Sequence, residues 1–155
     1  MGGQAALAAQ IASQAHAGQL DKAGRPYAGH VRRTARIAEA RGLSDMQVAA
    51  AWLHDVVEDA GMTLEGLRAR GVDDGVLVLV DALTCRLGER RDEYLRRLAA
   101  VPGAADVKRC DVADNTDPQR MALLEDGERA RLAGKYARTL RALDRPTGRP
   151  PVSTP

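Results

Sequence analysis

The stretch Ala49-Ala50-Ala51-Trp52-Leu53-His54-Asp55-Val56-Val57-Glu58-Asp59 carries the densest chemistry in the chain. Apolar residues suited to burial lead into one imidazole and three carboxylates. On a helix, residues four apart share a face, so Glu58 lies one turn beyond His54 and Asp59 one turn beyond Asp55. Neighbours on a helix point about 100° apart. His54 and Asp55 can therefore meet one ion only over the edge or end of the helix. Polar groups in such a setting are costly unless paired or metal-bound. A solvated helix end with one surface histidine would show the same letters, and the stretch by itself leaves both readings open.

Two other positions fit the same chemistry. His30 precedes His54 by 54 − 30 = 24 residues and opens a helical stretch, and Asp111 follows Asp55 by 111 − 55 = 56 residues, inside another. Two imidazoles and two carboxylates suit a borderline divalent cation such as Mn, Fe, Co or Zn. The set includes no thiolate, which argues against a structural zinc site. Cys85 and Cys110 lack CxxC spacing and read as two buried thiols of a reducing compartment. His16 reads as a capping or packing residue at the end of a helix.

The elements that must position these groups are all helical. Gln4 to Ala17 forms a first amphipathic helix, closed by Gly18. Residues 18–29 form a loop punctuated by Gly24 and Pro26. His30 to Arg41 is a second helix. Ser44 and Gln47 match a capping box that starts a third, running to about Asp55. Thr63 caps a short helix through Arg70. The run Val76-Leu77-Val78-Leu79-Val80 would suit a buried strand or a helix, and without a pairing partner it is read as helix, from Asp73 to Thr84. Further helices follow at Arg90–Ala100 and Ala104–Asn115. Asp117-Pro118 opens a short one to Glu125, and the last runs from Asp126 or Gly127 to Leu143.

Composition sets the bounds. A chain of 155 residues supports one domain with a real core. Its apolar content is Ala, Leu and Val with no Phe, which suits close-packed helices. A formal net charge of +2 is too mild to imply nucleic-acid binding and is compatible with an anionic small molecule. No apolar run approaches the roughly 20 residues of a membrane span. Met1-Gly2-Gly3-Gln4 lacks the basic start and apolar centre of a signal peptide. Both features predict a cytoplasmic protein. One domain is expected over residues 1–143, and the Pro-rich segment 144–155 is expected to be a disordered tail. The oligomeric state is not legible.

The order His … His-Asp … Asp resembles the HD-domain metal-dependent phosphohydrolases. The flanking residues resemble the RelA/SpoT-type hydrolase domain and the small alarmone hydrolases: Ala15-His16-Ala17-Gly18-Gln19, Gly24-Arg25-Pro26-Tyr27-Ala28-Gly29-His30, His54 to Asp59, and Val107-Lys108-Arg109-Cys110-Asp111-Val112-Ala113-Asp114-Asn115. The resemblance spans roughly residues 5 to 143. It implies a compact all-α bundle of about seven to nine helices holding one divalent ion, with Mn2+ favoured. It implies removal of the 3′-pyrophosphate of guanosine tetra- or pentaphosphate. By the same resemblance His30, His54, Asp55 and Asp111 match metal ligands. Glu58 and Asp59 match the acidic pair that activates water, and Lys22 and Asn115 match substrate-binding residues. Asp21 and Ala23 stand where the alarmone hydrolases usually have Arg and Ser. A carboxylate at 21 predicts a weakened grip on guanine, to be improved by Asp21→Arg. A nucleotidase of the same class, acting on another nucleotide phosphate, and a metal-containing nucleotide-binding pseudoenzyme are the alternative readings.

Overall fold

The computed structural model describes residues 2–21 and 24–144. Among them lie ten helical segments and no strand. They are α1 (Gly3–Ala15), α2 (Ala28–Ala40), α3 (Asp45–Leu53), α4 (Val56–Asp59), α5 (Leu64–Ala69), α6 (Asp74–Leu83), α7 (Arg91–Ala99), α8 (Ala104–Asn115), α9 (Pro118–Met121) and α10 (Asp126–Leu143). The run at 76–80 is helical, as expected, with Val76, Leu77, Leu79 and Val80 buried. The Pro-rich tail lies, apart from Asp144, outside the described residues.

α3 is the hub of the bundle. It packs against α1, α2, α6 and α8. Ala49, Ala50 and Ala51 are fully buried, and such small side chains let neighbouring helices approach closely on several sides. The helix starts at the expected capping box: Gln47 N–H donates to Ser44 Oγ, and Ser44 N–H donates to Gln47 Oε1. Asp45 then serves a second helix, accepting from the first free amides of α1 at Gln4 and Ala5.

The same logic sets the elements that carry the polar cluster. Gly103 precedes α8 in a left-handed conformation, φ +84°, which glycine adopts without a side-chain clash. Gln47 Nε2 donates to its carbonyl at 3.1 Å, tying the start of α8 to α3. Asp117 caps α9 by accepting from Gln119 and Arg120 N–H, with Pro118 in the first turn.

The helix expected from Ser44 to about Asp55 ends earlier. It stops at Leu53, and His54 and Asp55 form a turn before α4. Asp55 has φ −109° and ψ −2°, off the helical values. The backbone bond from Asp59 N–H to Asp55 C=O survives at 2.8 Å, so one turn of helix resumes at once. This break adds a helix to the nine expected from sequence. It also places both polar residues over a helix end, where they can face one point.

Candidate active site

Four helix segments bring the predicted ligands together. His30 lies in the first turn of α2, His54 caps the C-terminus of α3, Asp55 precedes α4, and Asp111 lies within α8. His30 Nε2 is 3.3 Å from His54 Nε2, 3.3 Å from Asp111 Oδ1 and 3.6 Å from Asp55 Oδ2. His54 Nε2 is 2.9 Å from Asp55 Oδ2 and 3.6 Å from Asp111 Oδ1. Donors about 2.0–2.2 Å from one ion stand about 3 Å apart at right angles and about 3.5 Å apart at tetrahedral angles. The observed spacings fall in that range. His30, His54 and Asp111 are all buried, and Asp55 is slightly more open.

The outer partners fix which nitrogen faces inward. His54 Nδ1 lies 2.7 Å from the Ala51 carbonyl, which can only accept, so Nδ1 carries the hydrogen. His30 Nδ1 lies 2.7 Å from Asp114 Oδ2 and donates to that carboxylate. In their neutral form both rings would present proton-free Nε2 atoms to each other. Two lone pairs at 3.3 Å with carboxylates on either side require a cation between them. Without an ion, protons fill that role. Burial disfavours charge on His30, but Asp111, Asp114 and Asp55 push its pKa up to about 11. Burial likewise opposes charge on His54, which Asp55 and Asp111 drive up to about 9. Burial alone would raise both carboxyls, yet these imidazoles, together with Lys108 in the case of Asp111, hold Asp55 and Asp111 well below the usual carboxylate range. The donor set therefore fits a divalent cation.

The cluster forms part of a cleft of about 540 Å³. Glu58 and Asp59 line it beside Asp55. Burial pushes the Glu58 carboxyl up, partly opposed by the Cys85 N–H that donates to its Oε1. Asn115 shares a helix face with Asp111, as expected, and its Nδ2 donates to Asp111 Oδ1 at 2.6 Å. Lys108 Nζ donates to the other oxygen of Asp111 at 2.7 Å. Lys22 lies outside the described residues.

Three contributors were not singled out in the sequence. Tyr27 donates its hydroxyl to Asp55 Oδ2 at 2.6 Å and lies 3.1 Å from Asp59 Oδ2, so one phenol spans a predicted ligand and a predicted acid. Asp114 fixes His30, and its place three residues after Asp111 could have revealed it, because the two share one side of a helix. Arg120 lines the cleft from α9, and no local sequence feature pointed to it. His16 is a buried packing residue, as expected. It caps α1, and its Nδ1 meets Gln19 Oε1 at 2.6 Å. One cysteine departs from expectation. Cys110 is buried, but Cys85 is exposed, because it follows the end of α6 on the rim of the cleft.

An all-α bundle that gathers two histidines and two aspartates from four helix segments is the arrangement expected of an HD domain. The HD domain family matches this chain over residues 8–126, and the chain belongs to that family. Among curated relatives, a probable GTP pyrophosphokinase of Mycobacterium leprae is 43% identical over 75 residues. The GTP pyrophosphokinase of Streptomyces coelicolor is 40% identical over 75 residues. Each match takes in 48% of this chain and 9% of the relative. The chain thus spans only a small part of those proteins. Among solved structures, a metazoan ortholog of SpoT, described as hydrolysing ppGpp and acting in starvation responses, superposes with a TM-score of 0.77. That match has 22% identity and covers 93% of this chain and 87% of the other. It establishes the shared fold. Among the described residues no helix is long and apolar enough to cross a membrane.

Proposed function

We propose that this chain is a divalent-metal-dependent phosphohydrolase that removes the 3′-pyrophosphate of guanosine tetra- or pentaphosphate, or of a closely related nucleotide. One observation carries the reading. Two imidazoles, each anchored through Nδ1, aim their Nε2 atoms at a point shared with Asp55 and Asp111, beside two further acids in an open cleft. His30, His54, Asp55 and Asp111 hold the ion. Mn2+ suits this nitrogen and oxygen set, which lacks a thiolate. When bound, the ion supplies Lewis acidity and offsets phosphate charge.

The chain's own groups do the rest. Glu58, with its raised proton affinity, takes a proton from the attacking water. Water attacks the phosphorus next to the 3′ oxygen, the bond to that oxygen breaks, the 3′ oxygen takes up a proton to become the hydroxyl, and pyrophosphate is released while the nucleoside keeps its 5′-phosphates. Asp59 orients the water, and Tyr27 keeps Asp55 and Asp59 close despite their like charge. Lys108 neutralises the outer oxygen of Asp111. Lys22 and Asn115 contact substrate. The catalytic unit is residues 1–143, and a free nucleotide as substrate suits a cytoplasmic enzyme.

The deciding experiment loads the purified protein with Mn2+, measures metal content, and screens phosphate and pyrophosphate release over a nucleotide panel. Pyrophosphate from guanosine tetraphosphate is expected. Release of inorganic phosphate from a simple 5′-nucleotide instead would make this a nucleotidase. Metal and nucleotide binding without turnover would make it a sensor.

A further inference from the structure

Arg120 reaches the cleft from α9, a short helix hydrogen-bonded at both ends. Asp117 Oδ1 accepts from its backbone N–H at 3.1 Å. Arg129 donates to the carbonyls of Met121 at 3.1 Å and Leu124 at 2.9 Å, fixing the turn beyond it. The side chain is 20% exposed.

Its polar partners leave it underused. Nε lies 3.6 Å from Asp114 Oδ2 and, although buried, makes no hydrogen bond among the described residues. Nη2 lies 3.5 Å from Asp21 Oδ2. Charge-assisted bonds run nearer 2.7–2.9 Å, so neither contact is a close pair. Asp114 cannot draw Arg120 in. Its Oδ1 is 2.6 Å from Arg33 Nε, and its Oδ2 is 2.7 Å from His30 Nδ1 and 3.2 Å from Arg33 Nη2. Asp21 is likewise held, with Oδ1 accepting from Arg25 N–H at 2.9 Å. The cleft therefore contains a mostly buried arginine side chain whose Nε is fully buried, oriented by two carboxylates and held closely by neither. A guanidinium presents its donors in a planar fork that matches phosphate oxygens.

We infer that Arg120 binds a phosphate group of the nucleotide in this cleft, and that Asp21 is the positioning residue that aims it. The inference rests on the phosphohydrolase reading above. Two oxygens of one phosphate would complete Nε and Nη2 together. Asp21 then gives up a loose contact rather than a tight one, so its presence costs the substrate little. The loop carboxylate at 21 and the arginine on α9, 99 residues apart, act as one recognition unit.

The test uses the full chain loaded with Mn2+, as wild type, Arg120→Ala and Arg120→Lys. Steady-state kinetics on guanosine tetraphosphate and calorimetric binding of inorganic pyrophosphate are measured alongside metal content. Arg120→Ala is expected to raise KM about ten- to a hundredfold with kcat nearly kept, the range of one or two charge-assisted bonds. Arg120→Lys should recover only part of the loss, because a point charge cannot replace the fork. Millimolar guanidinium ion should rescue Arg120→Ala. Metal content should match wild type in both variants. Unchanged KM, or a loss of bound metal that accounts for the whole effect, would overturn the assignment. If wild type hydrolyses no nucleotide, the functional reading fails by itself. Pyrophosphate affinity then still decides the role of Arg120: weakened in both variants it stands, and equal to wild type it falls.

Discussion

His30 Nδ1 donates to Asp114 Oδ2 at 2.7 Å, and this bond turns the opposite nitrogen of the ring toward His54 and Asp111. Asp114 is 3% exposed and also receives Arg33 through both of its oxygens. Removing the carboxylate would free the His30 ring and leave Arg33 unpaired. Asp114→Ala should weaken ion binding about ten- to a hundredfold, the usual cost of losing an outer partner of a ligating histidine. Stability should fall by about 1–3 kcal/mol, discounted because the Arg33 side chain is 37% exposed. Chelator competition and thermal melts of the metal-free protein separate the two effects. Ion affinity equal to wild type would mean that Asp114 serves only the ion pair with Arg33.

The residue types and spacing of His30, His54, Asp55 and Asp111 suggested an ion site only weakly, and it was the order of the motifs around them, shared with the HD-type hydrolases, that singled them out. The helices were legible more directly: Ser44, Thr63 and Asp117 state their starts in local chemistry. The turn at His54-Asp55 was not. Nothing in Trp52-Leu53-His54-Asp55-Val56 forbids a continuous helix, and the break belongs to how the cluster packs. Tyr27 and Arg120 were hidden for a different reason. Each acts on a residue far away in the chain, at separations of 28 and 99 residues, and only the folded bundle sets those distances.

Glu58→Gln should retain the ion and lose turnover. The amide keeps the shape and can still accept the Cys85 N–H, but it cannot take a proton. The kcat value should fall about a hundredfold or more, with metal content and melting temperature close to wild type. A substantially active variant would shift the role of base to Asp59.

Ion binding should be coupled to protons. Against the pull of burial, neighbouring carboxylates hold His54 at about 9 and His30 at about 11 in the metal-free protein. Both rings are then charged at neutral pH, and an ion must displace their protons. Uptake at pH 7 should release about two protons per ion, with affinity rising with pH toward 9. The stability effect has a definite sign. Folded-state values above the unfolded value of about 6.5 stabilise the metal-free fold fully below that pH. The contribution is lost as pH rises through 9 and then 11. The loaded protein holds no such protons, so the gap in melting temperature between loaded and metal-free protein should widen from pH 7 to 9. Calorimetry in buffers of different ionisation enthalpy counts the protons, and a gap that narrows over that range would refute the coupling.

The cleft gives Asp21 a partner that the sequence did not show, and that partner argues for a different outcome. Considered by itself, a carboxylate at 21 weakens the grip on guanine, and Asp21→Arg should repair it. In the folded chain Asp21 Oδ2 lies 3.5 Å from Arg120 Nη2, with its side chain only 9% exposed. An arginine at 21 would set a second guanidinium against the first, in a place with little water to screen it. Repulsion would displace Arg120, and the Arg25 N–H would lose its acceptor in the loop. Asp21→Arg should therefore raise KM for guanosine tetraphosphate, by about fivefold for a cost of about 1 kcal/mol. Asp21→Asn keeps the loop hydrogen bond and removes the charge, so its effect should be smaller. Adding Arg120→Ala to Asp21→Arg separates the two causes. If repulsion between the arginines is the defect, the double variant should bind no worse than Arg120→Ala by itself, and the two substitutions should be strongly non-additive. Additive losses would place the two residues in separate roles. A lower KM in Asp21→Arg would mean that the new side chain turns into the cleft and meets the nucleotide directly.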